Sequence, residues 1–417
     1  MYRKSSTVII ACLIYSVAQA QPSFAEKYNL PQYDCEREQK VIMKIKKGTI
    51  VVPDDSTVVW VNAKMLETNA ARAGVDVTVK TESQLQKSDL DNALFVMGPI
   101  VSFSQWNSFS IPIEKSGRGF KIDKFFFDEP SYGFSYISSP DASPARIVVS
   151  GNSLEAYEQV NNMPSFGFEY VVLNSAVPEL IGNGSHISDL KALKKMLYTP
   201  IESKYYVFMV SGNLDLDDRK ANDTEIEKFD KHAEAFVEKM RLSLPEKKIK
   251  TYIHATQEEI KYVCGFFNAL CGGTTHGFVT GDEIHSWKWG GAIEHEANHH
   301  LFAQVHKMAP TFLLEGIQKW YEFAMSTDEK EKGFQRAREF VDEDLTNIIC
   351  GRANFFQGDK YYLISGIFTD YLIDTYGLDK FKELYKYETL DILSGFETSY
   401  GKSLSKILEE YKAWLTK

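Results

Sequence analysis

Two histidines four residues apart, His295 and His299, stand with a glutamate between them in the run Ile293-Glu294-His295-Glu296-Ala297-Asn298-His299-His300-Leu301-Phe302. A neutral imidazole offers a lone pair to a metal ion. On a helix, positions i and i+4 share a face, so both rings can point at one ion. Glu296, beside His295, can reach a water on that ion without binding the ion itself. The chemistry this pattern suits is water activated by a divalent metal, with the carboxylate taking the proton. With nine histidines in 417 residues, a chance match to His-Glu-x-x-His has odds on the order of one per cent. The competing reading is a surface helix whose polar residues are simply solvated.

The elements needed to position these groups are also legible. Ile293, Ala297, Leu301 and Val305 recur at helical spacing, which predicts a helix with one face in a core. A catalytic zinc takes three protein ligands and leaves a fourth position for water. A histidine ten residues after His295 would be one source of the third ligand, but Val305 occupies that place and His306 misses it by one. A glutamate on a following helix is the other. Pro310 or Thr311 would open such a helix and place Glu315 in its first turns. Glu322, seven residues on, falls on a similar face and reads as a solvated glutamate.

His295-Glu296-x-x-His299, followed by Leu314-Glu315-Gly316 ahead of an aromatic-rich helix, resembles the gluzincin zinc metallopeptidases of the aminopeptidase-N-like clan, in particular their smaller bacterial members. The resemblance covers about residues 203–417. It implies one zinc ion per chain held by His295, His299 and Glu315, with Glu296 as general base. A second match begins at Tyr362 and runs to Tyr371-Leu372, similar to a family helix that opens with a tyrosine and carries an aromatic-Leu pair nine residues later. It implies that Tyr362 donates a hydrogen bond to the tetrahedral oxyanion; Tyr361 adjoins it, so the register is open by one, and a core tyrosine is the alternative. The family's edge strand, which pairs with substrate backbone, corresponds to Gly277–Trp287. One departure matters. The glutamate by which the aminopeptidases hold a free amine has no counterpart in Gly272–Gly281, so exo- and endopeptidase action both stay open. His276 and His285, near that strand, read as structural histidines.

The chain begins with Arg3 and Lys4, an apolar run from Val8 to Val17, and Ala18-Gln19-Ala20, the pattern of a secretory signal cleaved after Ala20. An exported protein, periplasmic or extracellular, is expected. Removing two basic residues takes the formal net charge from −10 to −12, a poor match to nucleic acid or an anionic membrane. No other stretch is long and apolar enough to span a membrane. Four cysteines remain, and Cys264–Cys271 with Cys35–Cys350 is the pairing expected in an oxidising compartment, one of three connectivities.

Residues 21–202 alternate strands with helical runs, which predicts an α/β domain with a mainly parallel sheet. Thr49–Val52, Val58–Val61, Val75–Val79, Ala93–Met97, Arg146–Ser150 and Tyr170–Leu173 read as strands, Met65–Gly74 as a helix, and Phe120–Ala145 as a long surface loop. Ser150-Gly151-Asn152 and Ser211-Gly212-Asn213 follow apolar strands without completing a phosphate-binding motif and read as polar turns. Residues 203–417 are expected to form a mainly helical, zincin-like catalytic domain with a small edge sheet. The expected activity is hydrolysis of peptide bonds in a peptide or protein substrate. Two alternatives stand beside it: a catalytically silent zinc-binding or recognition protein, and a zinc hydrolase of a non-peptide amide.

Overall fold

The stretch Ala93–Pro99 is buried at every position, and a strand of that kind needs cover on both faces. The computed structural model provides it. The structure describes residues 23–416 apart from 35, 73, 162–166, 216–222, 265–275, 281, 307–308, 352–354, 356–359 and 390. The expected leader therefore lies outside the described residues, as do Cys35 and Cys271, one member of each expected disulfide. The chain divides into two compact units, Met1–Tyr198 with His254–Thr275, and Thr199–Ile253 with His276–Lys417.

In the first unit the strands in chain order are β1 Lys47–Val52, β2 Asp76–Thr81, β3 Ala93–Pro99, β4 Glu114–Ser116, β5 Gly119–Ile122, β6 Phe125–Phe127, β7 Tyr132–Ile137, β8 Arg146–Gly151, β9 Tyr170–Asn174, β10 Val177–Asn183 and β11 His186–Asp189. Eight of them form one sheet in the order β11-β10-β9-β7-β8-β3-β1-β2. The β2-β1-β3-β8 half is parallel, and the β8-β7-β9-β10-β11 pairings are antiparallel. Along β3 the side chains alternate between two cores, as the two-residue period of a strand requires. Leu94 and Val96 pack with Phe103, Trp106, Phe109 and Phe120. Phe95 and Met97 pack with Val59, Ala63 and Tyr157 of the helices α1 Thr57–Arg72 and α2 Leu154–Asn161.

Three expectations for this unit are corrected. The sheet is mixed rather than mainly parallel. Val58–Val61 opens α1 instead of forming a strand; Val59 packs against the sheet with Ala63 one turn on, and that tertiary contact outweighs the β-preference of three valines. The supposed surface loop Phe120–Ala145 contains β6, β7 and most of β5. Gly133–Ile137 of β7 are buried, and β4, β5 and β6 form a small sheet whose Phe120 and Phe127 cap one core. Of the Ser and Pro residues that suggested a loop, Ser138, Ser139, Pro140, Ser143 and Pro144 fall in the connection between β7 and β8, while Pro130 and Ser131 precede β7 and Ser135 lies within it.

In the second unit a five-stranded sheet runs β12-β13-β14-β16-β15, with β12 Tyr198–Glu202, β13 Tyr206–Ser211, β14 Ile249–His254, β15 Gly277–Thr280 and β16 Glu283–Trp287. β13 and β14 are parallel, and the crossover between them carries a long helix, named α3 here, Asp223–Met240. Phe229, Ala233, Phe236 and Met240 of α3 are buried at helical spacing. The single strand expected over Gly277–Trp287 is an antiparallel pair, Gly277 facing Ser286 and Thr280 facing Glu283, with β15 at the sheet edge.

Helices fill the rest: α4 Gly291–Phe302, α5 Thr311–Met325, α6 Thr327–Glu339, α7 Leu345–Ile349, α8 Lys360–Tyr376, α9 Leu378–Tyr385, α10 Ile392–Tyr400 and α11 Leu404–Leu415. Thus an α/β region is followed by a helical one. No helix among the described residues is long and apolar enough to cross a membrane.

Candidate metal centre

Helix α4 carries the histidine pair, and its rotation is held from several sides. Ile293, Ala297, Leu301 and Phe302 are buried. On another flank Asn298, 2% exposed, meets His232 of α3, with Oδ1 and Nε2 2.9 Å apart. Glu294 pairs with Lys228 of α3 at 2.9 Å. Polar partners on one side and apolar burial on the other leave His295 and His299 turned together towards α5.

Helix α5 starts after Pro310, as expected, and brings Glu315 in on its second turn. Its approach to α8 is close. A Cβ on Gly316 would stand 2.4 Å from Thr369 Oγ1, and one on Gly366 would stand 2.5 Å from Lys319 Cβ. No side chain larger than hydrogen fits either place, which explains the glycine directly after Glu315.

The donor atoms converge. His299 Nε2 is 3.2 Å from His295 Nε2, and Glu315 Oε2 is 3.2 Å from His295 Nε2 and 3.5 Å from His299 Nε2. Ligands about 2.0–2.1 Å from a tetrahedral zinc lie roughly 3.3–3.4 Å from one another. The three donors therefore match the spacing of three corners of one such tetrahedron. All three side chains are partly buried, at 22%, 15% and 13% exposure, and together they could hold a metal ion.

Electrostatics favour positive charge here. Burial works against a charged His295, yet Glu315 and Glu322 push it up to about 10. Burial raises Glu315, but hydrogen bonds to His295 and His299 hold it down at about 2. Carboxylates that so favour a proton on the neighbouring ring would favour a cation in its place. Glu296 is raised, chiefly by burial and against the pull of His299 and His295, which suits a group that must take up a proton near neutral pH.

Of three neighbours, one is misread in the sequence and two escape it. Glu322 does not stand alone in solvent: its Oε1 lies 3.4 Å from His295 Nδ1, and Lys319 pairs with its other oxygen. This corrects the solvated reading, and the seven-residue spacing from Glu315 was the available signal. Gln318, 0% exposed, has its amide 3.3 Å from His299 Nδ1. Tyr385 of α9 is fully buried with no hydrogen-bond partner for its hydroxyl among the described residues, and its phenol is raised by burial and then by the charge of Glu315. Nothing local marks Tyr385, which sits among the ordinary apolar positions of its helix.

The tyrosines of the second match occupy the first turn of α8, as expected. Tyr362 meets Phe355 edge-on, ring centroids 5.0 Å apart; Tyr361 lies 6.2 Å from the same ring and under Lys360 Nζ at 4.8 Å. These contacts leave the choice between them to substitution. His285 is buried between the rings of Tyr252 and Phe278, each 5.0 Å away and stacked nearly parallel to it, and His276 stacks on Trp287. β15 runs beside α4, and a Cβ on Gly277 would stand 3.0 Å from Glu296 Cγ. No protein-family model matches this chain, and no curated protein is found similar to it.

Proposed function

We propose that the protein is an exported zinc metallopeptidase of gluzincin type that hydrolyses peptide bonds. The observation that carries the reading is the convergence of His295, His299 and Glu315 at the mutual distances of one tetrahedral ion, with Glu296 next in sequence. Zinc bound there would act as a Lewis acid and lower the pKa of a coordinated water towards ~7. Glu296, desolvated and set on the same helix, takes the proton of the attacking water and returns it to the leaving amine. Glu322 and Lys319 orient His295 from behind. β15, an edge strand beside the metal helix, aligns an extended peptide by backbone pairing. A hydroxyl from Tyr362, or from Tyr361, steadies the oxyanion.

The test is metal analysis joined to an unbiased peptide-cleavage profile. The native chain should hold one zinc and cut peptides. Glu296→Gln should keep zinc and lose about 10²–10⁴ in turnover, and Glu315→Ala should lose both. Full activity in the first variant, or retained zinc in the second, contradicts the assignment. Stoichiometric zinc without turnover on any peptide would leave a recognition protein, and turnover only on small non-peptide amides would leave a different hydrolase.

A further inference from the structure

Helix α5 presents Glu315, Gln318 and Glu322, a stripe at i, i+3 and i+7 that shares one face. The first faces both histidines. The other two stand behind them and differ in charge: the Glu322 carboxylate at His295 Nδ1, 3.4 Å away, and the Gln318 amide at His299 Nδ1, 3.3 Å away. Gln318 is completely buried, and its Oε1 has no hydrogen-bond partner among the described residues. The two ends of an amide have nearly the same shape, so a half-turn exchanges Oε1 and Nε2 without new space.

Which end meets the ring follows from what the ring must do. An imidazole that gives its Nε2 lone pair to a cation carries its proton on Nδ1, where it can only donate. An amide nitrogen has no lone pair to receive that proton; the amide oxygen has two. We propose that Gln318 is the positioning residue for His299, its Oε1 accepting the Nδ1–H and holding the ring in the tautomer that turns the Nε2 lone pair towards Glu315 and His295. The inference rests on the metal-centre reading above and adds a chain-specific partner to it. One face of one helix then supplies a ligand, the neutral brace of one histidine and the charged brace of the other.

The experiment is zinc competition against a chromophoric chelator for the native chain, Gln318→Met and Gln318→Glu, with thermal melts of the metal-free proteins alongside. Methionine keeps the volume and removes the acceptor; glutamate keeps an acceptor and removes the donor. Gln318→Met should bind zinc roughly 10–100-fold more weakly with little change in the metal-free melt, and Gln318→Glu should bind about as tightly as the native chain. Native-like affinity in Gln318→Met, or equal weakening in both variants, overturns the role of Oε1. Should the native chain itself bind no zinc, the metal-centre reading falls and this inference with it.

Discussion

Both units bury charged side chains, and two groups of them, one from each unit, find opposite kinds of partner. In the first, Arg146 is 6% exposed and spends its guanidinium on backbone oxygens: Nε on Phe109, Nη1 on Asn92 and Ala145, Nη2 on Leu90, all within 3.1 Å. Glu82, 3% exposed, accepts from Ser104 N and Oγ and from Gln105 N. Asn152 in the Ser-Gly-Asn turn likewise donates to Phe127 and Glu129 oxygens. These groups satisfy loops and strand ends rather than one another. In the second unit, His295, His299 and Glu315 point at one another, with backing from Glu322 and Gln318. Side chains that converge on a shared point, rather than on backbone, mark the place where chemistry is prepared. Arg146 and Glu82 are the more deeply buried and spend themselves mainly on backbone, whereas His295, His299 and Glu315, 22%, 15% and 13% exposed, meet one another.

That contrast can be broken most directly at Arg146. Arg146→Met should destabilise the fold by about 3 kcal/mol, since several buried carbonyls lose their donor, while leaving zinc affinity unchanged. Denaturant unfolding and chelator competition on the same variant decide it, and a shift in zinc affinity would erase the distinction between the regions.

A second measurement sharpens the metal side. His295 is raised to about 10 and Glu315 lowered to about 2, so near neutral pH the pair keeps one proton that a metal must displace. Apparent zinc affinity should rise about tenfold per unit between roughly pH 7 and 9 as that proton is lost more easily. The same shifts act on the metal-free fold with opposite slopes. The His295 contribution is fully present below about pH 6.5 and lost as pH rises through about 10; that of Glu315 is present above about pH 4.5 and lost as pH falls towards about 2. Zinc affinity that stays flat across the window removes the coupled pair.

The smallest effect is expected at Gly277. An added methyl group 3.0 Å from Glu296 Cγ pushes that flexible side chain by a few tenths of an ångström. Gly277→Ala should lower kcat by roughly tenfold or less with zinc affinity intact. Unchanged kcat would separate β15 from the general base.

Much of the second unit was legible because its signals are local. The four-residue spacing of His295 and His299 and the Pro310 start of α5 each concern residues within one or two turns. The first unit was harder. Val58–Val61 has the composition of a strand and forms a helix, because its neighbours in space, not in sequence, decide which face is buried. β7 was lost in a stretch that composition marked as loop, since its cover comes from β8 and β9 on either side.

By itself the amino-acid order determined that two imidazoles and a carboxylate would share one helix, and that a glutamate would follow on the next, because helical periodicity acts over a few residues. Only the tertiary structure decided that Glu315 meets both rings, that Gln318 and Glu322 stand behind different histidines, and that Gly277 lies against Glu296. Those contacts depend on how α5 and β15 pack against α4 and α8 against α5, and packing between distant segments follows from shape and burial that no local pattern records.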